Sequence, residues 1–140
     1  MHKNLLILVV IISTILACKS PETEVFVESD IHIIPKPAQL KLNSGVFEFT
    51  ENTVFVVGNI EQQDIANALL AKFKAAGGLE LDIVNEAPQN NYIEFITDNN
   101  LNDEAYKLKT DSDKITIAAK SNAGFIYGLE SIRQLLPVAI

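Results

Sequence analysis

Hydrophobic and polar side chains alternate with a period of two in the C-terminal third of the chain. In residues 106–110, Tyr, Leu and Thr alternate with two lysines, and in residues 115–119 two isoleucines and an alanine alternate with Thr116 and Ala118. The polar run Asp111-Ser112-Asp113 lies between the two segments. Alternation on both sides of a polar turn is typical of two half-buried strands. The sequence therefore predicts a hairpin over residues 106–119.

A helix is predicted directly after this hairpin. Ser121 and Asn122 are both candidate N-caps, because a short side-chain oxygen there can accept a hydrogen bond from a free backbone N–H group. Pro137 ends the helix, since its ring disfavours the helical conformation of the preceding residue. Between these limits an apolar row recurs with helical spacing, formed by Phe125, Leu129, Ile132 and Leu136.

Two glycines stand inside this predicted helix. Gly124 and Gly128 are four residues apart, on a stripe of small residues beside the apolar row. Each interior glycine costs about 0.5–1 kcal/mol relative to alanine. Because the absence of a side chain allows a close approach of the backbone, the sequence predicts a structural role for Gly124 and Gly128 in tight packing.

The pattern upstream predicts more strands and one more helix. Helical period runs through residues 59–76, with Asn59 and Gln62 at the spacing of a capping box and Gly77-Gly78 as the terminator. Strands are predicted at residues 31–33, 40–42, 46–49, 53–57, 81–83 and 92–96. Four strands, a helix, four strands and a helix predict an α+β fold, a mainly antiparallel β-sheet with two helices on one face.

The N-terminus has the features of an export signal. An apolar run from Leu5 to Ala17 follows Lys3 and is too short to span a bilayer. It ends in Ile15-Leu16-Ala17-Cys18, which resembles the lipobox of bacterial lipoproteins. We therefore expect a signal peptide at residues 1–17, lipidation at Cys18, an acidic tether at 18–29 and a domain at 30–140. The expected location is outside the cytoplasm, anchored by lipid to a bacterial membrane.

Charge and candidate chemistry exclude several classes of function. The formal net charge is −7 without a basic cluster, which disfavours nucleic acid as a partner. Cys18 is the only cysteine, so an internal disulfide cannot form. His32 has no second histidine nearby, so a structural role is favoured over metal binding. Neither a cofactor nor a metal site is predicted.

One acidic segment, residues 98–109, partly fits a calcium loop. Asp98, Asn100 and Asn102 occupy its first, third and fifth positions. The sixth position, which needs glycine, holds Asp103, and the twelfth, which needs glutamate, holds Lys109. The segment is therefore interpreted as a turn.

The same C-terminal residues resemble a known family. Four motifs follow one another here, namely Tyr106-Lys107-Leu108, Ile115-Thr116-Ile117, Ala123-Gly124-Phe125-Ile126-Tyr127-Gly128 and the ending Arg133-Gln134-Leu135-Leu136-Pro137. Their order resembles that in the N-terminal domain of bacterial β-N-acetylhexosaminidases of glycoside hydrolase family 20. The opening Ile34-Pro35-Lys36-Pro37 is also similar to the start of that domain. The resemblance implies a non-catalytic domain with the sheet and helices predicted above.

The resemblance also implies the chemistry of a complete enzyme. Family members remove terminal N-acetylhexosamine from glycans, with the substrate's acetamido oxygen as nucleophile and no metal or cofactor. Their catalytic Asp-Glu pair lies in a barrel that follows this domain. The pair Asp103-Glu104 lies in the domain instead, so we expect a solvated loop and no catalytic residue in this chain. With three residues left after Pro137, the chain is expected to stop before the barrel.

The partners follow from this interpretation. They are the catalytic barrel, glycan through that barrel, and a membrane through the lipid anchor. Ile126 and Tyr127 lie on the polar side of the last helix, where they are either solvent-exposed or docked against the barrel. The alternative function is a free-standing surface lipoprotein that binds glycan or a protein without hydrolysis.

Overall fold

Five strands and two α-helices make up the described part of the chain. A computed structural model describes residues 26–77 and 80–136. The predicted signal peptide, Cys18 and most of the tether lie outside these residues. The elements are β1 (Val54–Val56), α1 (Ile60–Gly77), β2 (Asp82–Val84), β3 (Tyr92–Thr97), β4 (Tyr106–Thr110), β5 (Lys114–Ala119) and α2 (Asn122–Leu135), preceded by one 3₁₀ turn at Glu28–Asp30.

The five strands form one mixed sheet in the order β2-β1-β3-β5-β4. Strand β1 pairs in parallel with both β2 and β3, and β3 pairs in parallel with β5. The antiparallel pair is β4–β5, which confirms the predicted hairpin. The fold is therefore α/β with a mostly parallel sheet, and the prediction of an α+β fold with a mainly antiparallel sheet is wrong.

The physical reason is the connection through α1. A helix between two strands carries the chain back along the sheet, so β2 starts at the same end as β1 and pairs in parallel with it. The prediction identified this helix but gave the sheet a mainly antiparallel arrangement. Parallel pairing then propagates through β3, whose two neighbours are both parallel to it.

Three of the predicted strands are absent from the described sheet. Residues 31–33, 40–42 and 46–49 have irregular backbone. The alternation at 46–49 arises from packing, because Phe47 and Phe49 both lie against the core. The Phe49 ring stacks on Phe73 of α1 at 5.2 Å between centroids, and Phe47 meets Phe49 edge to face at 5.1 Å.

The core lies between the sheet and the two helices. The register places Phe55, Ile93 and Ile115 in one row across β1, β3 and β5, and all three are buried. The helices fill the space above this row with the buried side chains of Ala66, Leu69, Phe73, Phe125, Leu129 and Ile132. Burial of a Leu, Ile or Phe side chain stabilises the fold by roughly 1.5–3 kcal/mol.

The two helices begin differently. At α1, Asn59 Oδ1 accepts from the Gln62 N–H at 2.9 Å, so the predicted cap is confirmed. Gln62 Oε1 accepts from the Gly58 N–H at 2.7 Å, one residue earlier than in a capping box. At α2, Ser121 occupies the N-cap position, but its hydroxyl donates to the Asp103 carbonyl oxygen instead. Of the two candidate caps, Ser121 and Asn122, the first therefore holds the N-cap position, but the predicted side-chain hydrogen bond is not formed.

Candidate functional site

The helix α2 lies very close to the hairpin β4–β5. A Cβ added at Gly124 would lie 2.5 Å from the Ala105 carbonyl oxygen and 2.8 Å from the Ala119 Cβ. One added at Gly128 would lie 2.5 Å from Ile117 Cγ2. All three distances are shorter than real Cβ contacts, so only glycine fits this approach of helix to sheet. The glycines thereby fix which side of α2 faces outward.

A buried polar contact continues this stripe toward the end of α2. Ser131 is 3% exposed, and its hydroxyl oxygen lies 2.5 Å from the Tyr106 hydroxyl oxygen on β4. The same Ser131 hydroxyl donates to the Tyr127 carbonyl oxygen at 3.1 Å. These bonds satisfy the hydroxyl groups, and they lock the rotation of α2 about its own axis relative to β4.

The outward side of α2 carries apolar side chains. Ile126 is 45% exposed and Tyr127 is 46% exposed. Ile126 also lines a groove of about 340 Å³ between the two helices, whose apolar lining is completed by Ile65, Ala68, Leu69 and Leu129. The helix layer therefore presents an apolar groove and an adjoining aromatic ring to its surroundings.

An ionic bridge crosses the same groove. Lys72 of α1 and Glu130 of α2 are in contact, with 2.6 Å between Nζ and Oε1. Arg133 contacts the other carboxylate oxygen of Glu130, also at 2.6 Å. The hydrogen bond from Lys72, and then that from Arg133, holds the pKa of Glu130 below its ordinary value of 4.5. The bridge joins the two helices where the apolar lining ends in charged side chains.

The last turn of α2 holds the N-terminal segment. Gln134 Oε1 accepts from the Ile34 N–H at 2.8 Å, and Gln134 Nε2 donates to the Ile34 carbonyl oxygen at 3.2 Å. One side-chain amide thus binds both backbone groups of a single residue. The Ile34 side chain is 81% exposed, so the contact holds the backbone and leaves the side chain outside.

The acidic pair flagged in the sequence lies on the surface just before β4. Asp103 forms an ion pair with Lys120, with 2.7 Å between Oδ1 and Nζ, and Glu104 is exposed. The hydrogen bond from Lys120 lowers the pKa of Asp103. The two carboxyl groups belong to a solvated turn, as the sequence interpretation had it.

Hydrogen bonds within the loop hold the acidic residues 98–103 in place. Asp98 Oδ1 accepts from the Asn100 N–H at 3.0 Å and from its Nδ2 at 3.1 Å, and Asp98 Oδ2 lies 3.1 Å from Lys107 Nζ. The Lys107 hydrogen bond, followed by that from the Asn100 backbone, lowers the pKa of Asp98.

His32 is exposed in the N-terminal segment. Within residues 26–77 and 80–136, no cluster of three His, Cys, Asp or Glu side chains could hold a metal, and no helix could cross a membrane.

Two features of this surface could not be found from the sequence. The Lys72–Glu130 bridge joins residues that are 58 positions apart, and the Gln134–Ile34 contact joins residues that are 100 positions apart. Neither pair is separated by a short helical or strand spacing that would predict a contact. Gln134 and Ile34 both lie in the motifs quoted above, but those motifs give no reason for the contact between them.

A mixed five-stranded sheet with two helices packed on it defines a small α/β domain. The sequence profile of glycosyl hydrolase family 20, domain 2, matches residues 30–139. The chain belongs to this family, as the non-catalytic N-terminal domain found in bacterial β-hexosaminidases, and the resemblance stated from the sequence is confirmed.

Individual relatives agree with this assignment. The β-hexosaminidase of Porphyromonas gingivalis is 33% identical over an alignment of 133 residues that covers 91% of this chain and 17% of that protein. The solved structure of the family 20 β-N-acetylhexosaminidase of Streptomyces coelicolor superposes with a TM-score of 0.69 at 26% identity, over 76% of this chain and 22% of that one. The exo-β-N-acetylglucosaminidase of Vibrio harveyi, solved with N-acetylglucosamine, superposes with a TM-score of 0.67 at 26% identity, over 75% of this chain and 16% of that one.

The chain therefore spans about a fifth or less of the length of these relatives. It covers one domain of a β-hexosaminidase. In the homologues a catalytic domain follows this one.

Proposed function

We propose that this domain supports the catalytic domain of an exported, lipid-anchored β-N-acetylhexosaminidase, which it contacts through its helix layer. The enzyme removes terminal N-acetylhexosamine residues from glycans. The names of the relatives, an exo-β-N-acetylglucosaminidase and two β-hexosaminidases, support this substrate class. The domain itself contributes no catalytic group to the reaction.

The observation that carries the contact is the unequal distribution of exposed apolar side chains. Within the described residues, the helices carry four large exposed apolar residues and the strands carry one, Ile96. Those on the helices are Ile60, Ile126, Tyr127 and Leu135, and four more lie in the irregular N-terminal segment, namely Phe26, Val27, Ile34 and Val46. Single exposed apolar residues are ordinary on protein surfaces, whereas exposed apolar neighbours beside an apolar groove suit a surface that a partner covers. Ile126 and Tyr127 are such a pair, because Ile126 itself lines the groove between the helices.

The rigidity of α2 supports the same surface. Gly124, Gly128 and Ser131 hold the helix in one rotation against β4–β5, so Ile126 and Tyr127 cannot turn inward. A partner that covers them gains roughly 25 cal/mol for each Å² of apolar surface removed from water. The partner is the catalytic domain, because in the homologues that domain follows α2 in the same chain.

Export and anchoring rest on the N-terminal sequence. The apolar run Leu5–Ala17 and the cysteine that follows it have the order of a lipoprotein signal. A single acyl chain binds membranes weakly, so stable attachment through Cys18 requires more than one. We expect the wild-type protein in the membrane fraction of a Gram-negative host and a Cys18→Ser protein in the soluble fraction. A Cys18→Ser protein that is processed at the same site and equally membrane-bound would contradict the anchor.

The enzyme function is tested with the full-length gene product. The reading frame is followed beyond Ile140, and the purified protein is assayed for hydrolysis of an aryl N-acetyl-β-glucosaminide. Hydrolysis supports the proposal. A stop codon at this point, together with glycan binding by the purified chain, would instead support the free-standing lipoprotein.

A further inference from the structure

The corner at Ile34-Pro35 lies on the end of α2, in contact with Gln134. We infer that this corner is a second contact point for the catalytic domain, separate from the groove between the helices. The inference rests on the proposed function, because it takes the domain that follows α2 as the partner.

The first step is the way in which Ile34 is held. Its N–H and its carbonyl oxygen both bind to the Gln134 side chain, at 2.8 and 3.2 Å. In a sheet a neighbouring strand would supply such a pair of bonds, but residues 31–33 are not a strand here. The amide therefore replaces a strand partner and fixes the position of Ile34 relative to α2.

The second step is what this arrangement exposes. At 81%, Ile34 is the most exposed of the large apolar side chains in the described residues. A flexible segment can turn an isoleucine toward the protein, whereas the two bonds to Gln134 restrict that freedom. The contact thus holds an apolar side chain in water, which is unfavourable until a partner covers it.

The third step is the location. Gln134 follows Tyr127 by about two helical turns, so both residues lie on the same side of α2. The helix ends at Leu135, one residue after Gln134. Ile34 therefore lies beside the point where the chain leaves α2, and in the homologues the chain continues from this domain into the catalytic domain. The chain that leads toward the catalytic domain thus leaves α2 next to Ile34.

The test compares variants of the full-length gene product. If the reading frame ends near Ile140, residues 30–136 replace the matching domain of the P. gingivalis β-hexosaminidase. The variants are Ile34→Ser, which removes the apolar side chain, and Gln134→Leu, which removes both hydrogen bonds. Val46→Ser is the matched control, since Val46 is also an exposed apolar residue in irregular backbone.

The measurement is the rate of limited proteolysis at the junction after α2, under conditions in which both domains stay folded by circular dichroism. We expect cleavage to be roughly fivefold faster or more in Ile34→Ser and Gln134→Leu, with an unchanged rate in Val46→Ser. The double variant is expected to match the single ones, because both remove the same contact.

Two results would overturn the inference. One is an Ile34→Ser rate equal to that of Val46→Ser. The other is a wild-type dimer in light scattering that Ile34→Ser dissociates, because Ile34 would then contact a second copy. If the unaltered protein shows no glycosidase activity, that result counts against the proposed function alone, because the proteolysis rates can still be compared.

Discussion

Gly128 of α2 faces Ile117 of β5 so closely that a Cβ on the glycine would lie 2.5 Å from the isoleucine Cγ2. Ile117 is fully buried and belongs to the central core, so it has little room to move away. The contact explains why a helix keeps a residue that costs about 1 kcal/mol relative to alanine.

Replacement of Gly128 by leucine should therefore destabilise the domain. The steric clash with Ile117 outweighs the propensity gain, and we expect a net loss of about 3 kcal/mol in the free energy of unfolding. Urea denaturation monitored by circular dichroism measures this loss of stability. Ala71→Leu, on the exposed side of α1, is the control and should change stability by less than about 0.5 kcal/mol. A Gly128→Leu protein as stable as the wild type would mean that α2 does not lie against β5 in this way.

Tyr127 tests the helix layer as a docking surface. In the full-length protein, Tyr127→Ala should lower the melting temperature or the glycosidase activity, because it removes an aromatic contact with the catalytic domain. In the 140-residue chain the same change should leave the circular dichroism spectrum intact, since Tyr127 is about half exposed there. Ile96→Ala is the control, with similar exposure on the strands. Equal effects of the two changes in the full-length protein would argue against docking through α2.

The ion pair between the helices predicts a pH dependence. Lys72 and Arg133 lower the pKa of Glu130 in the folded protein relative to its ordinary value of 4.5. A depressed carboxyl pKa contributes stability above pH 4.5, and this contribution is lost as the pH falls through the lower folded value.

Glu130→Gln should therefore cost stability at pH 7 and cost nothing at a pH where Glu130 is already protonated. The pair is partly exposed, so the loss at pH 7 should be about 0.5 kcal/mol. Urea denaturation at both pH values gives the difference. Glu104→Gln is the control, because Glu104 has no ion pair among residues 26–77 and 80–136. A Glu130→Gln effect that is the same at both pH values would exclude the ion pair as its cause.

The pair Asp103-Glu104 can be separated from catalysis by substitution. Asp103 is bound to Lys120 on the surface, and Glu104 is exposed beside it. Asp103→Asn and Glu104→Gln should both leave the hydrolysis of an aryl N-acetyl-β-glucosaminide unchanged in the full-length protein, and residues 18–140 alone should show no hydrolysis. Turnover by residues 18–140 that either change abolishes would make this pair catalytic.

The elements that the sequence predicted well are those formed by local contacts. The β4–β5 hairpin closes over the short turn Asp111-Ser112-Asp113. The alternation of apolar and polar residues in these two strands therefore predicts their pairing with each other. Helix α1 was visible from its period and from Asn59 and Gln62. These signals need no knowledge of distant residues.

The direction of the other strands could not be read in the same way. Strand β1 pairs with β2 across α1, and with β3 from still farther along the chain. Alternating residues at 46–49 looked like a strand because Phe47 and Phe49 share the core with Phe73. The Gln134–Ile34 contact depends on how the N-terminal segment folds over the end of α2, which no local pattern reports.

Strand β3 has no partner that is its immediate neighbour in the chain. Its two ladders run to β1, across the β1–α1–β2 unit, and to β5, across β4. Paired residues are at most 13 positions apart in β4–β5, 22 apart in β3–β5, 28 apart in β1–β2 and 38 apart in β1–β3. Because distant pairings form slowly, we expect the β4–β5 hairpin and its ladder to β3 to gain structure first and the pairing of β1 with β3 to limit the rate of folding. The central strand β3 would then be enclosed last along its β1 edge.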